Sequence, residues 1–105
     1  MNKAFLPLAL AAVLALPAAA SAHSPIFDCS DNGDGSISCE GGFSDGSSAS
    51  GVAIHVQDAS GKVIEELKLD KNSEITFKKP SVDYKVVFDA GAGHQITKAG
   101  KDIVK

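Results

Sequence analysis

The chain has 105 residues, room for one small domain, with 10 lysines against 13 carboxylates and a formal charge of −3. It contains no arginine. Arginine grips phosphate bidentately and enters the minor groove, so its absence argues against nucleic-acid binding.

The first segment reads as a signal peptide over residues 1–22. Lys3 precedes an apolar run at 4–16, and Pro17 leads to a small-residue stretch ending in the A-x-A-like site Ala20-Ser21-Ala22. The run is short for a bilayer span, so cleavage after Ala22 is expected rather than membrane insertion. The expected product is a single exported domain, residues 23–105, in the periplasm or outside the cell. Without Lys3, nine lysines remain against 13 carboxylates, a formal charge of −4. Residues 23–61 carry Asp28, Asp31, Asp34, Glu40, Asp45 and Asp58 with no lysine, a distribution that attracts cations.

Cys29 and Cys39 are the two cysteines, and an oxidising compartment favours their pairing. A turn centred on Asp34 in Asn32-Gly33-Asp34-Gly35 sets Ser30 opposite Ser38 and Cys29 opposite Cys39, which predicts a cross-strand disulfide. Closing so short a loop contributes about 3 kcal/mol by the chain-entropy argument. The same residues partly fit a calcium loop at Asn32, Asp34, Gly35 and Ile37. Ser30 and Gly41 would then take its first and last ligand positions, and Gly41 cannot replace the required bidentate glutamate. A tight β-turn is expected instead.

Residues 41–51 (GGFSDGSSASG) predict an irregular, mobile loop anchored by Phe43. Val52, Ile54 and Val56 then alternate with Ala53, His55 and Gln57, a strand that points His55 away from the core. After a turn at 58–61, residues 62–69 predict another strand, since the β-branched start disfavours a helix. Residues 70–73 turn the chain, and Ile75 and Phe77 mark a strand that Pro80 ends, because proline donates no backbone hydrogen bond. Tyr84, Val86 and Phe88 share a face of the next strand. Gly91 and Gly93 close it just before His94. In the tail, Ile96 and Ile103 are the candidates for packing. Six or seven short strands without a convincing helix predict an all-β fold: a small antiparallel β-sandwich, transthyretin-like or immunoglobulin-like, with an N-terminal disulfide-linked hairpin.

The strand and turn signals over residues 51–103 resemble a transthyretin-like or carboxypeptidase-regulatory-like module. Within them, Tyr84-Lys85-Val86-Val87-Phe88-Asp89-Ala90-Gly91-Ala92-Gly93-His94 resembles the ending of extracytoplasmic accessory proteins of nickel and cobalt uptake transporters. That resemblance implies a sandwich that handles a divalent transition metal beside an envelope transporter.

The predicted cut exposes His23 as the mature N-terminus, which is similar to the first residue of CopC-type copper proteins and copper monooxygenases. An α-amine and the imidazole of one residue chelate a metal together, and imidazole suits copper, nickel and zinc. His94, His55 and Asp28 are the candidate further ligands. No G-x-S-x-G elbow is present and the core is small for a buried triad, so an enzyme is not expected. The sequence therefore points to a periplasmic metal-binding accessory protein handling nickel, cobalt or copper. The alternative is a non-catalytic structural or protein-interaction module of the cell envelope, using a strand edge or the 41–51 loop.

Overall fold

A computed structural model describes residues 24–105. The predicted signal peptide and His23 lie outside the described residues. Seven strands follow in order: β1 (Pro25–Asp31), β2 (Ser36–Phe43), β3 (Ala53–Asp58), β4 (Val63–Lys68), β5 (Glu74–Lys78), β6 (Tyr84–Asp89) and β7 (Gln95–Ala99), then a 3-10 turn at Gly100–Asp102. They form two antiparallel sheets, ordered β1-β2-β5 and β4-β3-β6-β7. The pairings β1-β2-β5 and β3-β6-β7 are those of an immunoglobulin-like sandwich, with β4 attached to β3 rather than to β5.

The β1–β2 hairpin has the register its turn residues dictate, with Ser30 opposite Ser38 and Cys29 opposite Cys39. Gly33 and Gly35 supply the positive φ values that the turn requires, and the disulfide joins Cys29 to Cys39. Alternation then sorts the side chains. Phe27, Ile37, Cys39 and Phe77 from the three-stranded sheet meet Ile54, Val56, Val86 and Phe88 from the other, all buried. Phe88 is fully buried and holds the layers together, its ring centroid 5.2 Å from that of Phe27 and 6.0 Å from that of Phe43. Burying a side chain of this class contributes roughly 1.5–3 kcal/mol.

The segment expected to be an irregular, mobile loop is more ordered than its composition suggests. Gly41, Gly42 and Phe43 belong to β2, paired with Phe27, Ile26 and Pro25. A Cβ on Gly41 would come within 2.8 Å of the Phe88 ring and 2.9 Å of Leu69 Cδ1, so glycine is there for close packing rather than flexibility. Beyond it, Ala49 is fully buried and its N–H donates to Ser73 Oγ at 2.9 Å. Ser73 adopts φ 62 and its carbonyl accepts from Gly41 N–H at 2.9 Å. A non-glycine residue in this left-handed region is strained, and here its hydroxyl and carbonyl tie the β2–β3 connection to the β4–β5 turn.

The residue 62–69 prediction holds as β4, with a register shift opposite Val56/Gln57. The tail forms a full seventh strand, β7, and Ile103 is buried in the core.

Candidate functional site

Strand direction decides which connections share an end of the sandwich. Ser24 starts the described chain and pairs with Ser44: its N–H donates to Ser44 Oγ at 2.8 Å, and its carbonyl accepts from Ser44 N–H at 2.9 Å. Ser44 follows Phe43, whose ring rests on Phe88, and Phe88 leads through Asp89 into the β6–β7 turn. One pole of the molecule thus carries Ser24, the β2–β3 and β4–β5 connections, and the β6–β7 turn with His94. The opposite pole carries the hairpin turn at 32–35 and the C-terminal residues, where Asp31 N–H donates to the Val104 carbonyl at 2.9 Å.

His94 sits at the exit of the turn made by Asp89-Ala90-Gly91-Ala92-Gly93. Its backbone N–H donates to the Gly91 carbonyl at 2.9 Å, its carbonyl accepts from Ala90 N–H at 3.1 Å, and its Nδ1 lies 3.2 Å from the Ala92 carbonyl. A carbonyl only accepts, so Nδ1 is the donor in this contact. Donation of one ring N–H to a backbone carbonyl is the arrangement that orients metal-binding histidines.

His55 lies on the outer face of the four-stranded sheet, as its place in β3 predicts, between Glu66 and Val87 in register. Its Nε2 is 3.3 Å from Asp89 Oδ2, and its Nδ1 is 3.9 Å from Glu66 Oε2 and buried without a hydrogen-bond partner among the described residues. Asp89 also accepts from Gln95 Nε2 and Gly91 N–H through its other oxygen, each at 3.0 Å. These bonds, Gln95 foremost, then Gly91, then His55, hold the Asp89 carboxyl below the usual range. Asp89 therefore connects the strand bearing His55 to the turn bearing His94.

Asp28 stands on the outer face of the other sheet, with Lys98 Nζ 4.0 Å away. It and His55 project from opposite sides of a sandwich whose layers are about 10 Å apart, so one ion cannot take both. Register places Glu40 beside Asp28 and Glu74 beside Glu40, a row the sequence conceals because nothing in it fixes the pairing of β2 with β5. Among the described residues, no three His, Cys, Asp or Glu side chains are grouped to hold a metal ion. Of the expected ligands, His94 shares a pole with the residue after His23, His55 is linked to that pole through Asp89, and Asp28 stands apart from both.

Much of the acidity of the first half has a local use. Asp34, Asp45 and Asp58 each accept both the N–H and the hydroxyl of the serine two residues on. Asp31 accepts Gly33 N–H at 2.8 Å and pairs with Lys79 Nζ at 2.9 Å. These carboxylates cap turns. Hydrogen bonds from Ser36 and Ser60 hold Asp34 and Asp58 below their ordinary pKa, and the Gly33 N–H does the same for Asp31, helped by Lys79.

No protein-family model, curated protein or solved structure matches the chain.

Proposed function

We propose that this protein is a periplasmic metal-binding accessory protein that takes up nickel, cobalt or copper at the pole carrying its mature N-terminus. In this reading the leader is cleaved after Ala22, and the His23 amine and imidazole form half of the ligand set. His94 adds an imidazole, and His55 is the nearest reserve ligand through its link to Asp89. The described residues do not hold a complete ligand set by themselves, so the reading requires His23. Asp28, on the far side of the sandwich from His55, is left out of such a site. The metal is cargo or signal for an envelope transporter, and the Cys29–Cys39 bridge supports an oxidising compartment.

The observation that supports the reading is that Ser24 and the β6–β7 turn bearing His94 share one pole, with His94 Nδ1 held 3.2 Å from the Ala92 carbonyl. The experiment is calorimetric titration with Ni²⁺, Co²⁺ and Cu²⁺ of protein exported by its host and shown by mass to begin at His23. The same titration is run with His94→Ala and with one extra residue placed before His23. Stoichiometric binding that both changes weaken at least about tenfold supports the reading, since each removes ligands from the ion. Binding indifferent to both overturns it.

A non-catalytic envelope module is the second reading, favoured by Ile26, which stands 53 % exposed on the outer face of the three-stranded sheet. Co-purification of an envelope protein that Ile26→Ser abolishes, from protein that binds no metal, would favour that reading instead.

A further inference from the structure

The two flanks of the sandwich differ. On one, β1 packs beside β7 and Lys98 reaches Asp28. On the other, a groove of about 330 Å³ runs between β4 and the end of β5, with Ile64 and Glu65 on one wall, Lys78 on the other, and Pro80 and Val82 at its end. Ile64 is 44 % exposed and Val82 56 %. These two exposed apolar side chains line the same groove.

The edges of the groove do not invite an added strand. β4 carries a register shift opposite Val56/Gln57 and an inward-facing charge at Glu65, paired with the buried Val56, and both devices blunt edge pairing. The β5 ladder stops at Pro80. What fits such a surface is a partner that packs side chains and brings opposite charges to the two walls. The β4 wall is acidic through Glu65, while Glu66 turns to the outer face beside His55. The β5 wall is basic through Lys78, next to Lys79, which is committed to Asp31. Among the described residues neither Glu65 nor Lys78 makes an ion pair.

A groove with exposed Ile64 and Val82, a carboxylate on the β4 wall and a lysine on the β5 wall is complementary to itself. A twofold axis along the groove lays the acidic wall of each copy over the basic wall of the other. We propose that a second copy of this chain occupies the groove, forming a twofold dimer in which Ile64 and Val82 of the two copies interlock and each Glu65 faces the partner copy's lysine at position 78.

Sedimentation equilibrium of the protein made from its full chain, over micromolar to millimolar concentrations, tests this. The expected result is a monomer–dimer equilibrium. Ile64→Glu, Glu65→Lys and Lys78→Glu each weaken it at least about tenfold, and the double charge swap Glu65→Lys with Lys78→Glu returns it to near the original value, because the walls are complementary again. All three positions are exposed, so folding should survive, and unchanged far-UV circular dichroism checks that it does. A chain that is monomeric throughout, a dimer indifferent to Ile64→Glu, or single swaps that the double swap does not rescue would each overturn the proposal.

Discussion

Replacing both cysteines by alanine tests how far the hairpin bridge stabilises a domain this small. Cys29 and Cys39 are 10 residues apart in the chain, and closing such a loop in the unfolded ensemble is worth about 3 kcal/mol. The sulfurs also fill space, since Cys39 is 3 % exposed and Cys29 packs against the same core. Truncating both adds a cavity term on the order of 1 kcal/mol. Set against the roughly 4–12 kcal/mol expected for a domain of this size, the sum is a large share of the total. The corresponding fall in Tm is roughly 16–32 °C. Guanidinium unfolding followed by far-UV circular dichroism measures the loss. Reducing the wild-type protein under the same conditions removes the loop constraint but keeps the sulfurs, so it should cost about 1 kcal/mol less than the alanine pair. A loss below about 1 kcal/mol in both experiments would refute the loop-closure reasoning, showing that the turn at 32–35 already confines the unfolded chain.

Gly41→Ala, with its Cβ driven against Phe88 and Leu69, should destabilise by about 1–3 kcal/mol in a urea titration, whereas a mobile loop would accept alanine without loss. Asp31, Asp34, Asp58 and Asp89 have folded-state pKa values below their unfolded ones. Their contribution is complete above the unfolded value near 3.8 and is lost as pH falls through the folded values. The urea midpoint should therefore be flat from pH 7 to about 5 and fall steeply below about 4, and Asp58→Asn should shrink that fall. Tyr84 Oη is buried without a hydrogen-bond partner among the described residues, so Tyr84→Phe should leave stability unchanged or raise it by up to about 1 kcal/mol. A thermal melt that drops instead would reveal a partner for the hydroxyl.

The hairpin register, the strands at 52–57, 74–78 and 84–88 and the outward face of His55 were legible in the sequence because each depends on local chemistry: a turn centred on Asp34, period-two alternation and a proline stop. What stayed hidden depends on distant residues. Gly41 looks like a loop glycine until Phe88 and Leu69 are seen above it. β7 looks like a tail because Gln95, Thr97 and Lys98 lack alternation, yet it pairs residue by residue with β6. The acidic first half looks cation-attracting by composition, yet Asp34, Asp45 and Asp58 engage their own turns. The separation of Asp28 from His55 follows from which sheet each strand joins, and nothing local encodes that.

The most direct test of the central claim follows the histidine imidazole resonances of protein beginning at His23 while Ni²⁺ or Cu²⁺ is added. The account predicts that the His23 and His94 signals shift or broaden together and are complete at one equivalent. If either imidazole remains unperturbed at one equivalent, the two do not share an ion and the proposed site is wrong.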